Sequence, residues 1–363
     1  MIQKKYSSRY IMVEPHAEKN HAGPKARNDV LDILLSCGYI PVSLKVRIPE
    51  FVRKPHGPLL TFFSKILANI KSYFAFRRFF SCLTMGSSLF IQYPFERVQL
   101  KIAWQIKIFE YLMQNKKIEI TFIIHDIDGV RYKDPIKEKN DLSFLKLGSH
   151  LIVHNQGMVQ YYVGNGFELK KLTPVFLFDY LFDNKAGEHK KSDGIAFAGN
   201  LAKAGFINKI PELGNDIKFN LYGDFNKKIP NRENVFYNGS FRPDELPAVI
   251  IGGFGLVWDG ESLETCSGAI GEYLKLNSPH KVSLYIVSGI PVILWAKSAL
   301  AGFILEKKLG FVIDSLFELQ EKINTITEQQ YTETVINVKI FSEKLKKGEQ
   351  LIHANSRYSA LYG

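Results

Sequence analysis

Along this chain, apolar runs of strand length alternate with longer stretches whose apolar residues recur at helical spacing. Arg9–Val13 reads as a first strand. Pro24 to Cys37 follows with Val30, Ile33 and Leu34 on one helical face, Pro24 at its start and Gly38 beyond its end. Tyr39–Arg47 is a second short strand. Residues 58–83 form a long helix carrying Leu59, Phe62, Phe63, Ile66, Ile70, Phe74, Phe79 and Phe80. Ser88–Tyr93 (strand), Arg97–Gln114 (helix), Ile118–Ile124 (strand), His150–His154 (strand), Gly157–Gly164 (helix) and Lys171–Phe178 (strand) continue the rhythm. Strands that alternate with helices predict parallel sheets built from βα units.

Asp183–Asp193 (DNKAGEHKKSD) is polar, charged and lies between apolar runs, as a linker would. Beyond it a second alternation begins. It comprises strand Gly194–Ala198, a helix from about Leu201, strands Ile217–Tyr222 and Val235–Tyr237, helix Pro243–Ile251 and strand Gly255–Trp258. After these come strand Pro291–Trp295, helix Ala299–Lys307, strand Gly310–Ile313 and a helix from Leu316. The expected fold class is α/β, with two Rossmann-like domains whose parallel sheets face a central cleft. The expected divisions are residues 1–182, a linker over 183–193, a second domain over 194–331, and helices over 332–363 that return to the first domain.

The stretch GEYLKLNSPHKVSLYIVSGIPVILW, residues 271–295, organises the second half. Ser278 stands where an N-cap belongs and Pro279 at a first helical position, with Gly289 placed to end the helix before a buried strand. Lys281 then falls on the first turn, beside exposed N–H groups and the positive end of the helix dipole. That combination suits a phosphate. Phe197-Ala-Gly-Asn-Leu-Ala-Lys203 repeats the arrangement, bringing Gly199, Asn200 and Lys203 to the same sheet edge. Tyr222 and Phe241 end neighbouring segments and are candidates to flank a base; Gly23 opens the first helix.

Of the 363 residues, 46% are hydrophobic and 23% charged, ordinary for a globular protein. The formal charge of +11 is not ordinary, and implies an anionic partner. Between Lys45 and Lys117, 13 Lys and Arg face three acids, so nearly the whole excess lies there. The helix over 58–83, with Lys65, Lys71, Arg77 and Arg78, suits either an anionic membrane surface or an ordinary core helix with a solvated basic face. No helix-turn-helix, zinc-finger or aromatic RNA-binding signature accompanies it, which argues against nucleic acid. Cys37, Cys82 and Cys266 are scattered, as suits a reducing cytoplasm and neither a disulfide framework nor a zinc site. No run approaches the roughly 20 apolar residues of a membrane span.

His125-Asp126-Ile127-Asp128 ends the strand Ile118–Ile124, where ligands gather in open parallel sheets. Its histidine and carboxylates are the acid/base candidates. Asp126-x-Asp128 also matches a metal-holding D-x-D pattern, and a loop of solvated carboxylates is the plainer alternative. His150 and His154 bracket Leu-Ile-Val on a buried strand and read as structural.

Several of these segments together resemble a group of bacterial sugar-nucleotide glycosyltransferases that includes galactofuranosyltransferases. The segments are Asn20 with Gly23-Pro24-Lys25, Asn28 and Asp29; Ile124-His-Asp126 with Arg131; Gly199-Asn-Leu with Lys203; Trp258-Asp-Gly; and Asn277 to Tyr285 with Gly289-Ile-Pro-Val-Ile. The resemblance implies a GT-B fold, a UDP-sugar donor as co-substrate with no further cofactor and no metal, and a surface-glycan acceptor, lipid-linked or free. It places Gly23, Gly199, Asn200, Lys203, Tyr222, Phe241, Asn277, Ser278, His280 and Lys281 at the donor, and Asp126, or else Asp128 or His125, as catalytic base. For galactofuranose it implies inversion. A metal-dependent transferase using Asp126 and Asp128, a non-catalytic nucleotide- or glycan-binding protein, and association as a homo-oligomer remain open at this level.

Overall fold

The computed structural model describes residues 8–14, 22–45, 58–95, 103–224 and 233–362. Six strands form a first sheet: β1 (Arg9–Val13), β2 (Ile40–Ser43), β3 (Ser88–Tyr93), β4 (Glu119–Ile124), β5 (His150–Val153) and β6 (Leu172–Pro174), in the order β2-β1-β3-β4-β5-β6. A second sheet takes β7 (Ile195–Ala198), β8 (Phe219–Tyr222), β9 (Val235–Tyr237), β10 (Phe254–Val257), β11 (Val292–Trp295) and β12 (Gly310–Ile313), in the order β12-β11-β10-β7-β8-β9. Every pairing in both sheets is parallel. The order of strand addition reverses beside β1 in one sheet and beside β7 in the other. Such switch points open crevices at the carboxyl ends of the strands.

The helices are α1 (Ala22–Ser36), α2 (Pro58–Ser81), α3 (Ala103–Asn115), α4 (Asp128–Arg131), α5 (Pro135–Leu145), α6 (Gln156–Gly164), α7 (Leu246–Val249), α8 (Gly268–Tyr273), α9 (His280–Val287), α10 (Ala301–Glu306), α11 (Leu319–Thr325), α12 (Glu328–Lys346) and α13 (Glu349–Tyr362). Strand alternation sorts the first core into two layers. Tyr10, Met12, Leu89, Ile91, Phe122, Ile124, Leu151 and Val153 pack with Phe76 and Phe80 of α2 and Phe109 of α3. Their neighbours Ile11, Phe90, Ile123 and Ile152 face the other way, onto Val30, Ile33 and Leu34 of α1 and Leu351 and Ala354 of α13. The C-terminal helix therefore does cross back onto the first sheet, while α12 adds Tyr331, Val338 and Leu345 to the second core.

Local chemistry explains where the structure departs from the sequence pattern. The helix expected from about Leu201 is a turn followed by a 3₁₀ segment over Gly205–Leu213, because Gly205 and an internal Pro211 disfavour an α-helix. The strand expected over Lys171–Phe178 stops at Pro174, and Phe176 at φ 63° takes the chain out of extended conformation. Helix α5 was missed, although Asp134-Pro135 announces it: Asp134 accepts hydrogen bonds from the N–H of Ile136 and Lys137, with Pro135 in the first turn. Asn20, the expected end of the second strand at 46–47, the helix start at 97–102 and the side chains of Leu59, Phe62 and Lys65 lie outside the described residues.

The chain passes between the halves twice, and the two crossings are tied together. On the way out, Leu177, Tyr180 and Phe182 sink into the second core while Phe178 stays in the first. On the way back, buried Asp179 accepts hydrogen bonds from the N–H of Gln350 (3.1 Å) and Leu351 (2.8 Å) at the start of α13. The Tyr180 N–H also donates to Leu345 O. Burial lifts the Asp179 carboxyl from 3.8 to about 7, against the pull of those two N–H groups.

Because its folded value lies above its unfolded one, Asp179 binds a proton more tightly in the native state. Its contribution to stability is greatest at low pH and falls as pH rises from about 4 to about 7. Asp179→Asn cannot titrate, so the stability of wild type relative to that variant should decline between pH 5 and pH 8. Urea midpoints of the two proteins at both pH values check this. A difference that is constant or grows with pH would contradict the raised value.

Candidate active site

The first domain contributes the loop after β4. His125 donates from Nε2 to Gln92 Oε1 (2.8 Å) and stacks flat on Phe178, ring centroids 5.3 Å apart. Asp126 is half-buried and pairs with Arg131 at 2.8 Å. Burial lifts its carboxyl to about 6, while Arg131 and, more weakly, Arg27 pull it down and Asp128 pushes it up. Asp128, the first residue of α4, pairs with Lys137 at 2.6 Å. Each acid of the Asp126-x-Asp128 pair thus has its own cation. Among the described residues no group of three or more His, Cys, Asp or Glu gathers as a metal site would.

The second domain contributes the carboxyl ends of β7, β8, β10 and β11. Lys281, in the first turn of α9, reaches Asp259 Oδ1 at 3.0 Å and lies 4.6 Å over the Phe197 ring. A Cβ on Gly199 would sit 2.9 Å from Lys281 Cε, and one on Gly223 would sit 1.8 Å from Gly199 O. Both glycines have positive φ (151° and 136°), so the turns after β7 and β8 close on each other and on Lys281 in a way only glycine permits. Lys203 is exposed in the turn capped by Asn200. With Lys209 and Glu261 it lines a cavity of about 280 Å³.

The start of α9 differs from the expected cap. Pro279, not Ser278, is the N-cap, with ψ 136° and no side-chain capping bond. Ser278 is instead buried against the first domain: its N–H donates to His154 Nδ1 (2.9 Å) and its Oγ accepts from Asn155 Nδ2 (3.1 Å). Asn155 also donates to Leu276 O (3.0 Å), and its own Oδ1 caps α6 through Met158 N–H. His154 completes the link through Nε2 to Ile124 O, and burial depresses it to about 4, so it is neutral at physiological pH. His150 meets Thr173. Both histidines are structural, as expected.

Of the other expected donor residues, Tyr222 is a core residue whose hydroxyl accepts from Ile251 N–H, so its ring cannot flank a base. Phe241 is partly exposed, 6.2 Å from that ring. Gly23 is exposed in the first turn of α1. Asn277 Oδ1 and both ring nitrogens of His280 are buried without a hydrogen-bond partner among the described residues. Burial, reinforced by nearby Lys25, depresses His280 to about 3. Unmet polar groups of this kind cost about 1–3 kcal/mol each and are recovered by a ligand that supplies partners.

Three contributors were not anticipated. Tyr273 in α8 accepts at its hydroxyl from Ile127 N–H (2.7 Å) and neighbours Asp126. Two residues earlier, Gly271 packs so tightly that a Cβ would lie 2.9 Å from Asp259 O. Helix α8 therefore links Asp126 of one domain to the Asp259–Lys281 pair of the other. Arg27 in α1 is buried near Asp126. Asp244 joins Asp29 on the buried Lys25 ammonium, at 2.8 and 2.7 Å, across the two halves. The clue to Tyr273 is only its position, in the same stretch as Lys281. Nothing local marks Asp244.

Two parallel α/β domains, joined by a double crossing with an acid and a lysine-bearing helix on facing edges, have the architecture of the GT-B glycosyltransferases. Family models for the glucosyltransferase 3-like N-terminal and C-terminal domains match residues 8–173 and 195–355, and the chain belongs to that family as a hexosyltransferase. It is 33% identical over 347 residues to the beta-1,6-galactofuranosyltransferase WbbI of Escherichia coli (strain K12), covering 93% of this chain and 94% of that one. It is 31% identical over 202 residues to glucosyltransferase 3 of Streptococcus gordonii, covering 54% and 58%. The fold matches Anabaena Alr3699/HepE in complex with UDP-glucose (TM-score 0.59, 10% identity, 97% and 99% covered). It also matches the lipopolysaccharide outer core galactosyltransferase WaaB in its apo form (TM-score 0.56, 10% identity, 95% and 98% covered).

Asn155 caps α6 and holds the loop before α9, so Asn155→Ala should cost about 2–4 kcal/mol, a lost cap plus buried groups left unmet. Asn155→Asp keeps the cap acceptor but sets a buried carboxylate oxygen against the Leu276 carbonyl, and should cost at least as much. Urea unfolding of both variants tests the order; an Ala variant as stable as wild type would mean the loop is held by other contacts.

Proposed function

We propose that this chain transfers a hexose, galactofuranose being the best candidate, from a UDP-sugar to a hydroxyl of a surface-glycan acceptor, without a metal. Residues 194–331 hold the donor and residues 1–182 the acceptor, while α12 completes the second core and α13 braces the first sheet. The observation that carries this reading is the bridge through α8, which couples a carboxyl raised to about 6 to a lysine in the first turn of α9. The 33%-identical relative named a galactofuranosyltransferase and the UDP-glucose bound by a structural neighbour support the choice of donor.

In this mechanism the acceptor oxygen attacks the anomeric carbon as its proton passes to Asp126, and the bond from that carbon to the diphosphate oxygen breaks. Negative charge grows on the departing UDP. Lys281, drawn from Asp259, and the free N–H groups of the first turn of α9 stabilise it. Asn277 and His280 supply hydrogen bonds to the donor, and Gly199, Asn200 and Lys203 its phosphate-side rim. Gly23 and Phe241 flank the same cleft. The scattered free thiols suit action in a reducing cytoplasm.

Lys281→Ala should weaken UDP binding by about 1.5–3 kcal/mol, the worth of a charged hydrogen bond, in calorimetry on the folded variant. Unchanged affinity would remove Lys281 from the donor site.

Asp126 must be ionised to act as base, so turnover should fall as pH drops through about 6. Asp126→Asn should reduce turnover by roughly 10²–10⁴-fold at unchanged UDP affinity and abolish that acidic limb. Activity is read as UDP released only in the presence of acceptor. Wild-type turnover in the variant would refute the assignment, and loss of all activity to a strong chelator would favour a metal held by Asp126 and Asp128.

A further inference from the structure

Helix α2 has two apolar faces. Ser72, Phe76, Phe79 and Phe80 are buried in the first core. At about 100° per residue, Ile66, Ile70 and Phe74 share a narrow arc on the far side, and they are 41%, 46% and 60% exposed. Phe63, 58% exposed, falls on the same line. Exposed Arg77 continues this stripe, while Lys71 and exposed Arg78 run along one flank next to Phe74. Among the described residues, Ile66, Ile70 and Phe74 belong to neither hydrophobic cluster of this domain, whose core is filled from the opposite face of α2.

We propose that this face of α2 is a monotopic docking surface for an anionic phospholipid bilayer, with the side chains of Ile66, Ile70 and Phe74 entering the acyl boundary. Charge selects this occupant over a second copy of the chain. Lys71, Arg77 and Arg78 lie on or beside this face, helix α2 carries no acid, and the stretch from Lys45 to Lys117 has a net charge of +10. Two such faces repel each other, whereas lipid phosphates attract them. Cations beside a row of Phe and Ile also place charge at the headgroups while the apolar residues sink below them. Among the described residues no helix is long and apolar enough to cross a membrane, so the contact is with the surface alone. This inference is independent of the proposed donor and acceptor.

Co-sedimentation with vesicles of phosphatidylcholine, alone or mixed with phosphatidylglycerol, tests it. The full chain should bind the anionic vesicles far better than the neutral ones. Binding should collapse between 0.1 and 1 M salt, as the Debye length shrinks from about 10 Å to about 3 Å. Lys71→Gln with Arg78→Gln should lower the partition coefficient roughly thirty-fold, about five-fold per cation. Ile70→Ser with Phe74→Ser should lower it at least about ten-fold, with the thermal midpoint held near wild type because neither side chain is in the core. Equal binding to neutral vesicles, or full binding by the serine variant, would overturn the proposal. So would a concentration-dependent dimer that the serine variant dissolves while vesicles are ignored, since the occupant would then be a second copy. Should the serine variant fail to fold, undiminished anionic binding by the glutamine variant would overturn the proposal on its own.

Discussion

Everything at the cleft depends on how one loop of the second domain is held by the end of one strand of the first. His154 and Asn155 at the end of β5 engage the backbone of Leu276 and both polar groups of Ser278. Each such hydrogen bond is worth only about 0.5–1.5 kcal/mol net. What they set is position: the loop ends at Pro279, and α9 starts there with His280 and Lys281. A neutral His154 is essential to this arrangement, because its Nδ1 must accept the Ser278 N–H while Nε2 donates to Ile124 O. Burial enforces that neutrality by making the imidazolium costly.

The same low-dielectric seam governs the carboxylates. Asp29, Asp126 and Asp179 are all pushed up by burial, to about 7, 6 and 7, although each has a cation or N–H partner. Their settings differ in a way that separates their roles. Asp29 shares the Lys25 ammonium with Asp244, and Asp179 caps α13, so both acids are spent on joining the halves. Asp126 is paired with Arg131 on the open edge of the sheet and is only half-buried. Of the three, it combines a raised carboxyl with partial exposure, which the proposed role as base requires.

How much of this could be read from sequence follows from the range of the forces involved. Strands β1, β3, β4 and β5 and the two-series α/β plan show in local periodicity, since each strand sends alternate residues to opposite layers. Lys281 on the first turn of α9 was also readable, from Pro279 and Gly289. The cap itself was misread, because Ser278 has a partner 123 residues away that outcompetes the local one. Tyr222 looked like a strand-end ring and is instead a core ring, tied through its hydroxyl to Ile251 N–H, 29 residues away. Asp244 and Tyr273 owe their roles to contacts across the seam and Arg27 to long-range contacts within the first domain, and no local pattern encodes those.

The spacing within residues 273–281 then has a consequence for how the two halves work together. Tyr273 holds the backbone after Asp126, Ser278 is held by the residues after β5, and Lys281 pairs with Asp259, all on one short segment. Parting the halves there would break the bonds from His154, Asn155 and Tyr273 together, at about 0.5–1.5 kcal/mol apiece. It would also expose the apolar crossing at Leu177, Tyr180 and Phe182. A strained or displaced α9 therefore cannot shift Lys281 without also disturbing the loop that carries Asp126. The Asp126 loop and Lys281 are tied through the seven positions between Tyr273 and Lys281. Substitutions in α8 should thus register at both edges of the cleft at once.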